Sequence, residues 1–548
     1  MKKLLLLTAL WCIGIAYSFA DETFRYKDSQ NVVWICSPTN DADETAVGLC
    51  VEITGVKGCG TEVEVPGTVY DSKGTAYTVV KLPGVFADNT ELQKVTLPTS
   101  VTILDGTFNG CTALTTVENT SQISKIGEKT FYNTPITSIN LSSCTSVGDN
   151  AFVGCTVLAS LNLSSIEALS SNAFKGYTSL ISIKLSSCKS VGKEAFSGCT
   201  GLKSVNLPVC TTVGDQAFKD CTGLKLVRLP VCTTVGVQAF YGCTGLKSVN
   251  LPACTTVEAD AFSGCTGLTS VDLPACTEVG SNAFSSCTYL TSINLPLCTS
   301  LGDRAFYDCT GLTEVKLPVC TTVEYGAFYG CTGLTSMDLP ACTSVGDRAF
   351  YDCTGLTEVK LPSCTSLGEY AFCGCTELAY IDLSSIESIG SYTFAFYASL
   401  KSIKISSCKS VGEGAFSCCS GLTSIAIPSG VTSIGECAFA YCRRLTQIYV
   451  SWNTPLSITA DVFAEVDKQK CTLYVPDCYY WDYREAAYWG EFENIVEYNV
   501  TGIDSPSAGN GATETARYSA NGQRVTAPVK GLNIVKYSDG STRKVVVK

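Results

Sequence analysis

A phenylalanine returns every 22 residues through the middle of this chain, from Phe152, Phe174, Phe196 and Phe218 to Phe416, without a slip. Looser copies extend the series to Phe86, Phe108 and Phe131 on one side and to Phe439 and Phe463 on the other. A unit this short cannot bury its apolar face alone, so a fixed period of this size means that copies stack on one another. The pattern therefore points to a solenoid with long surfaces rather than to a globule around one enclosed pocket.

One copy shows the local logic. In Leu268-Thr-Ser-Val271-Asp-Leu273-Pro274, Val271 and Leu273 lie two apart and share one face of a strand, while Ser270 and Asp272 take the other. Successive copies then build a parallel sheet, and Pro274 ends the strand because it has no backbone donor to continue the ladder. The remaining part of the unit reads as a short helical turn. Asp215 is placed to cap it, Ala217, Phe218 and Cys221 share one helical face, and Gly223 suits the left-handed turn that closes a helix.

The expected fold class is an α/β solenoid. It has a parallel β-sheet on one face, short helical turns on the other and small β caps at both ends. The expected division is a signal peptide over 1–20, an N-terminal β cap over 21–85, the solenoid over 86–465 and a C-terminal cap over 466–500. A linker over 501–515 and a separate C-terminal domain over 516–548 follow. Strand-like segments fall at 32–35, 51–54 and 77–82 in the first cap. The second cap carries a strand from Leu473 and a short helix over 484–490.

Cysteine is abundant, at 33 residues. In a secreted chain this would ordinarily announce a disulfide framework. Most of these cysteines, however, fall into two columns of the repeat. One column stands three residues after the Phe, from Cys111 and Cys155 to Cys442, and the other runs from Cys144 and Cys188 to Cys408. Tyr177 and Tyr397 occupy the first column where Cys is missing, and Ile166 and Ile386 the second. A position that accepts Cys, Ile or Tyr wants a buried filler, so the reading is of mostly reduced, buried thiols. Cross-links along a column are a second reading, because neighbouring turns would place them ~5 Å apart. A Cys-only metal site is a third.

The chemistry that remains is limited. There is no histidine, which removes His-based triads, bases and metal ligands. Carboxylates, lysines and thiols remain, but none forms an isolated, non-repeating cluster within the array, so no catalytic residue, cofactor or metal is expected. The formal charge is −12 with no basic patch, which argues against nucleic acid as a partner. Lys2 and Lys3, the apolar run over 4–15 and Ser18-Phe19-Ala20 read as a secretory signal peptide. No later segment is long and apolar enough to span a bilayer, so the mature chain has no expected transmembrane segment. It is expected to be secreted or attached to the outer membrane or cell surface.

The L-x-x-V/I-x-L-P strand and the V/I-G-x-x-A-F-x-G-C phrase resemble the BspA-like (treponemal type) leucine-rich repeats. An example runs from Ile425-Ala-Ile427-Pro428 to Ile434-Gly435-Glu-Cys-Ala438-Phe439. The resemblance covers residues 86 to about 480, with a 22-residue spacing where that family more commonly has a longer one, and a Cys column in place of Gly-Val. It implies a bacterial surface protein that attaches to host or bacterial surface proteins or glycans. The segment Arg517-Tyr518-Ser-Ala-Asn-Gly522-Gln523, with Gly531-Leu-Asn-Ile534 and the terminal Lys544-Val-Val-Val547-Lys548, resembles the C-terminal sorting domain of the Bacteroidetes type IX secretion route. That likeness implies the type IX machinery as a partner.

The function expected from these features is non-enzymatic adhesion or protein recognition, and the alternative is a self-associating surface-layer scaffold. Two faces are candidates for binding. On the strands, the outward pairs include Glu314 and Lys316, Asp338, and Glu358 and Lys360. Around the phenylalanines, Tyr241, Tyr307, Tyr329 and Tyr351 follow their Phe directly, and Tyr325 and Tyr370 precede one. Adjacent exposed tyrosines have the character of binding hot spots.

Overall fold

The computed structural model describes residues 23–39, 49–498, 514–519, 523–525, 531–537 and 542–547. The expected signal peptide and residues 501–513 of the expected linker lie outside the described residues. The chain divides into two compact units, one ending at Leu334 and the other beginning at Thr335.

The first unit opens with strands β1 (Phe24–Lys27), β2 (Val33–Thr39) and β3 (Cys50–Lys57), which pair antiparallel in that order. Two short strands, β4 (Glu62–Glu64) and β5 (Thr68–Tyr70), precede β6 (Ala76–Pro83), and β6 runs parallel to β3. This sheet closes the stack from one end. Trp34 is fully buried, and its indole meets Phe86, the first ring of the Phe series, edge-on at 6.2 Å and 89°. Asp28 holds the indole by accepting its N–H at 2.9 Å.

From here each turn contributes a longer strand, most often of three residues, and a shorter one, most often of two. The first turns supply β7 (Lys94–Thr96), β8 (Ile103–Asp105), β9 (Thr116–Glu118), β10 (Lys125–Ile126) and β11 (Ser138–Asn140). The three-residue strands from β11 to Glu314–Lys316 form one nine-stranded parallel sheet. Its register advances by one period per strand, so Val227 faces Val249 and Val249 faces Val271. The central residue of each strand is buried and the flanking ones, such as Ser270 and Asp272, are exposed, as the alternation requires. The two-residue strands form a second parallel ladder, reinforced by threonine hydroxyls. Thr233 and Thr255 each donate to the carbonyl one turn earlier at 3.2 Å.

The third edge corrects the sequence reading. The short helices expected around each Phe are not formed; these segments are chains of tight turns. Two residues flanking each Phe from Phe86 to Phe439 take the left-handed region, as Gln216 (φ 54) and Asp220 (φ 57) do around Phe218, and a helix cannot pass through them. The amides bond to the next turn instead. Gln216, Phe218 and Asp220 donate to the carbonyls of Val237, Ala239 and Tyr241 at 2.7–2.8 Å. Asp215 is no helix cap, since its carboxylate accepts the Val237 amide of the next turn. Gly223 is not left-handed; its role is close approach, because a Cβ there would lie 2.1 Å from the Thr200 carbonyl oxygen.

This edge brings the rings together. Phe218, Phe240 and Phe262 are fully buried, and neighbouring rings stack at 5.1 Å with planes within 4°. That spacing is close to the separation of adjacent strands, so backbone ladder and ring stack share one repeat distance. The cysteine column beside the rings does more than fill space. Cys265 donates its S–H to the Phe240 carbonyl at 3.1 Å, and Cys243 does the same to Phe218 at 3.0 Å.

The second unit repeats the plan. Its three-residue strands begin with Ser336–Asp338 and Glu358–Lys360, and its rings stack from Phe350 and Phe372 to Phe439 and Phe463. Tyr397 takes a place in the cysteine column and donates to the Phe372 carbonyl at 2.8 Å, the same bond that a thiol makes elsewhere. The stack ends against Trp489 and Phe492, which tilt onto Phe463 at 5.5 and 5.6 Å. The cap helix α1 (Tyr480–Glu485) lies earlier than the 484–490 expected. It forms where Tyr483 can bury its ring and donate its hydroxyl to the Trp452 carbonyl at 2.9 Å. Strands Glu514–Ser519, Arg524–Val525, Gly531–Tyr537 and Thr542–Val547 make a four-stranded antiparallel sheet. Among the described residues, no helix is long and apolar enough to cross a membrane.

Candidate functional site

The cysteines are the most numerous reactive side chains, and their surroundings silence them. Those of the two columns are buried and stand as thiols. Burial pushes Cys210, Cys254 and Cys298 up to about 12, so thiolate is scarce at neutral pH. Among the described residues, no group of three or more His, Cys, Asp or Glu side chains is placed to hold a metal ion. Exposed or half-buried thiols are Cys59, Cys418, Cys437 and Cys478. Treating the native protein with iodoacetamide at pH 8 should therefore modify only these four of the described cysteines, with the columns reacting after denaturation. Rapid native modification of Cys254 or Cys276, read by peptide mass spectrometry, would show that the columns are open to solvent.

The tyrosine face is where sequence positions become a constellation. Each Phe points inward together with the residue before it, commonly Ala, whereas the tyrosines that directly follow a Phe reach the surface. In the first unit, Tyr307 and Tyr329 occupy equivalent places in adjacent turns, and their rings stack at 4.9 Å. Arg304, left-handed at φ 53, sets its guanidinium 5.0 Å over the Tyr325 ring and 6.0 Å over Tyr307. Tyr241 lies several turns away, with the Lys219 ammonium 5.4 Å above its ring.

The second unit carries a comparable group. Arg348 lies 5.1 Å over Tyr370, which stacks on Tyr392 at 5.0 Å and meets Tyr351 at 6.4 Å. The Tyr392 hydroxyl donates to Glu413 at 2.5 Å, and this bond, with lesser desolvation, raises the phenol to about 12. Tyr241 is exposed; the tyrosines of the two groups are half-buried, so their rings are held by neighbours while an edge remains open to solvent. Stacking under an arginine fixes ring orientation before any ligand arrives, which lowers the ordering cost of binding.

The strand face assembles less. Glu314 pairs with Lys316 at 3.0 Å and Glu358 with Lys360 at 3.4 Å, both within a single strand rather than between turns. These side chains are more than half exposed, and such pairs contribute little energy. Asp338 is exposed and lies opposite Lys360 in the parallel register.

Sequence reasoning missed Arg304, Arg348, Tyr392 and Glu413, which complete the two aromatic groups. It also missed Phe396 and Tyr441. Both stand in the left-handed column otherwise filled by residues such as Gly264, Ser286 and Asp308, with φ of 70 and 60. Phe396 is 62% exposed and Tyr441 46%. A bulky aromatic there is strained and buries little, so its benefit is not to the fold. The readable signal was the break in a small-residue column.

Comparison with known proteins gives a consistent picture. The family model described as BspA type leucine rich repeat region, in six copies, matches segments spanning residues 83–470. Among solved structures, a leucine-rich repeat protein from Bacteroides ovatus is 24% identical, with a TM-score of 0.49, 84% of this chain covered and 100% of that one. A leucine rich cell surface protein from Faecalibacterium prausnitzii is 21% identical, with a TM-score of 0.33 and coverage of 78% and 95%. The pneumococcal vaccine antigen PcpA is 18% identical, with a TM-score of 0.30 and coverage of 88% and 100%. No curated protein matches the chain.

Proposed function

The chain belongs to the BspA-type leucine-rich repeat family, and from that premise we propose a non-enzymatic protein, secreted or held at the cell surface, that mediates adhesion by protein recognition. The observation that carries this reading is the pair of preassembled aromatic groups, Arg304 with Tyr307, Tyr325 and Tyr329, and Arg348 with Tyr351, Tyr370 and Tyr392. Tyrosine and arginine supply much of the energy at protein interfaces, and here both are displayed on a rigid stack. The signal peptide and the C-terminal segment resembling a type IX sorting domain supply the route to the surface in this reading. The partners are proteins of host matrix, epithelium or other bacteria.

The test is saturable binding of the mature chain to a panel of immobilised matrix proteins and to whole bacterial cells. Tyr307→Ser with Tyr329→Ser, and separately Tyr370→Ser with Tyr392→Ser, should weaken that binding by about tenfold or more, the equivalent of ~1.4 kcal/mol. Circular dichroism should remain that of the parent. A strain lacking the gene that attaches normally to both kinds of surface would refute the adhesive reading.

A further inference from the structure

The ladder of three-residue strands in the first unit is interrupted between β9 and β11. β9 pairs with β7, and β11 pairs with Ser160–Asn162, but β9 and β11 do not pair with each other. The turns are not pulled apart elsewhere at this level. β10 pairs in register with Ser146–Val147, and Phe131 stacks on Phe108 and on Phe152 at 5.4 Å each. Only one edge opens, and it leaves a cleft of about 400 Å³.

Both walls of this cleft depart from the repeat. On the β9 side, Asn119 stands where the flanking turns place the buried Leu97 and Leu141. Asn119 is left-handed at φ 59 and exposed, and Thr120 after it is buried. The Thr120 hydroxyl then donates to the Asn140 carbonyl at 2.7 Å, across the place where a ladder bond would lie. On the β11 side, Ile139 follows Phe131 one residue sooner than Leu161 follows Phe152, and Pro135 stands in the shortened segment. Val117, at the centre of β9, is only half-buried, whereas Val95 and Ile139 on either side are buried.

The lining carries no charge. It offers the side chains of Thr115, Thr116, Thr137, Ser138 and Asn140 around Val117, together with strand edges that make no ladder bonds across the gap. Asn162 donates to the Asn140 Oδ1 at 2.8 Å, which fixes that amide with its own N–H groups turned from the bond. An anion would meet no cation here, and an apolar ligand would strand the backbone groups. An extended peptide would need strand length, yet each facing edge is only three residues long and the turns are tied on both other edges. The geometry points to a binding site for a neutral saccharide of one or two rings, whose hydroxyls answer the mixed donors and acceptors and whose C–H face meets Val117. This site is separate from the tyrosine face and does not depend on the adhesive reading.

The test uses the full chain titrated with glucose, galactose, N-acetylglucosamine, lactose and cellobiose, followed by saturation-transfer NMR and calorimetry. At least one should bind saturably. Asn119→Leu with Thr120→Pro restores the repeat phrase, and should weaken that binding about tenfold or more. Thr116→Ala with Asn140→Ala, both exposed, serves the same purpose should the first variant fail to fold. Tyr307→Ser with Tyr329→Ser should leave saccharide binding unchanged. The assignment falls if none of the five sugars binds, or if binding is undiminished in the folded cleft variants. Binding of a Ser/Thr-rich extended peptide in the absence of any sugar binding would equally overturn it.

Discussion

Phe262→Ala is expected to lower the stability of the first unit by about 3–5 kcal/mol, read from chemical denaturation. The ring is fully buried and lies between Phe240 at 5.1 Å and Phe284 at 5.3 Å. Removing it leaves a hole that these neighbours cannot fill, because each is already stacked on the ring beyond it at 5.1 and 5.4 Å. Its carbonyl also accepts the Cys287 thiol at 3.3 Å, so the two columns are joined at this point. Phe262→Leu keeps most of the volume and should cost less than half as much. A loss below ~1 kcal/mol for the alanine variant would mean that adjacent turns do not pack as one cooperative core.

Alkali should unfold the protein more steeply than acid. Burial raises the Cys254 and Cys298 thiols to about 12 from an ordinary 9.0, and most of the column cysteines shift upward as well. A raised value means that the folded state holds its proton after the unfolded chain has released it. The stabilisation is complete below pH 9 and declines as pH climbs toward 12, by about 1.4 kcal/mol per pH unit for each such thiol. With many thiols acting together, the midpoint temperature should fall sharply between pH 9 and 11 in the presence of a reductant. Cys254→Ala should reduce the proton release on unfolding by about one in that window. A melting temperature that stays level from pH 8 to 11 would contradict this account of the columns.

How much of this was legible in the chain depended on whether a feature repeats. The strands were readable because Val271 and Leu273 alternate with Ser270 and Asp272, and only a strand makes that useful. Burial of the cysteines was readable because Ile166 and Tyr397 substitute for them. The segment around each Phe was not. Ala217, Phe218 and Cys221 suit a helical face and a run of tight turns equally well, and the choice is made by hydrogen bonds to a different turn. The left-handed residues left a trace as a column of Gly, Asp and Asn two places after the Phe, which local spacing passed over in favour of Asp215 and Gly223 as helix caps, neither of them left-handed. The aromatic groups were half readable. Tyr307 and Tyr329 announce themselves by period, but that Arg304 lies over their neighbour Tyr325 follows only from the fold. The cleft at Asn119 needed the reverse approach, a comparison of one turn with its neighbours for what it lacks.

The bonds at the Phe edge also have an electrical consequence. Peptide units alternate direction along a strand, so their dipoles largely cancel. At this edge the groups joining Asp215 to Gln216, Ala217 to Phe218 and Lys219 to Asp220 all accept from the preceding turn and donate to the following one. Their dipoles, about 3.5 D each, therefore add from turn to turn as they do in an α-helix, but with the N–H ends facing the C-terminal side. Each unit is thus polarised along its stacking direction, with positive potential toward its later turns and negative toward its earlier ones. Ligands approaching the two ends of such a column would meet fields of opposite sign without any charged side chain having to supply them.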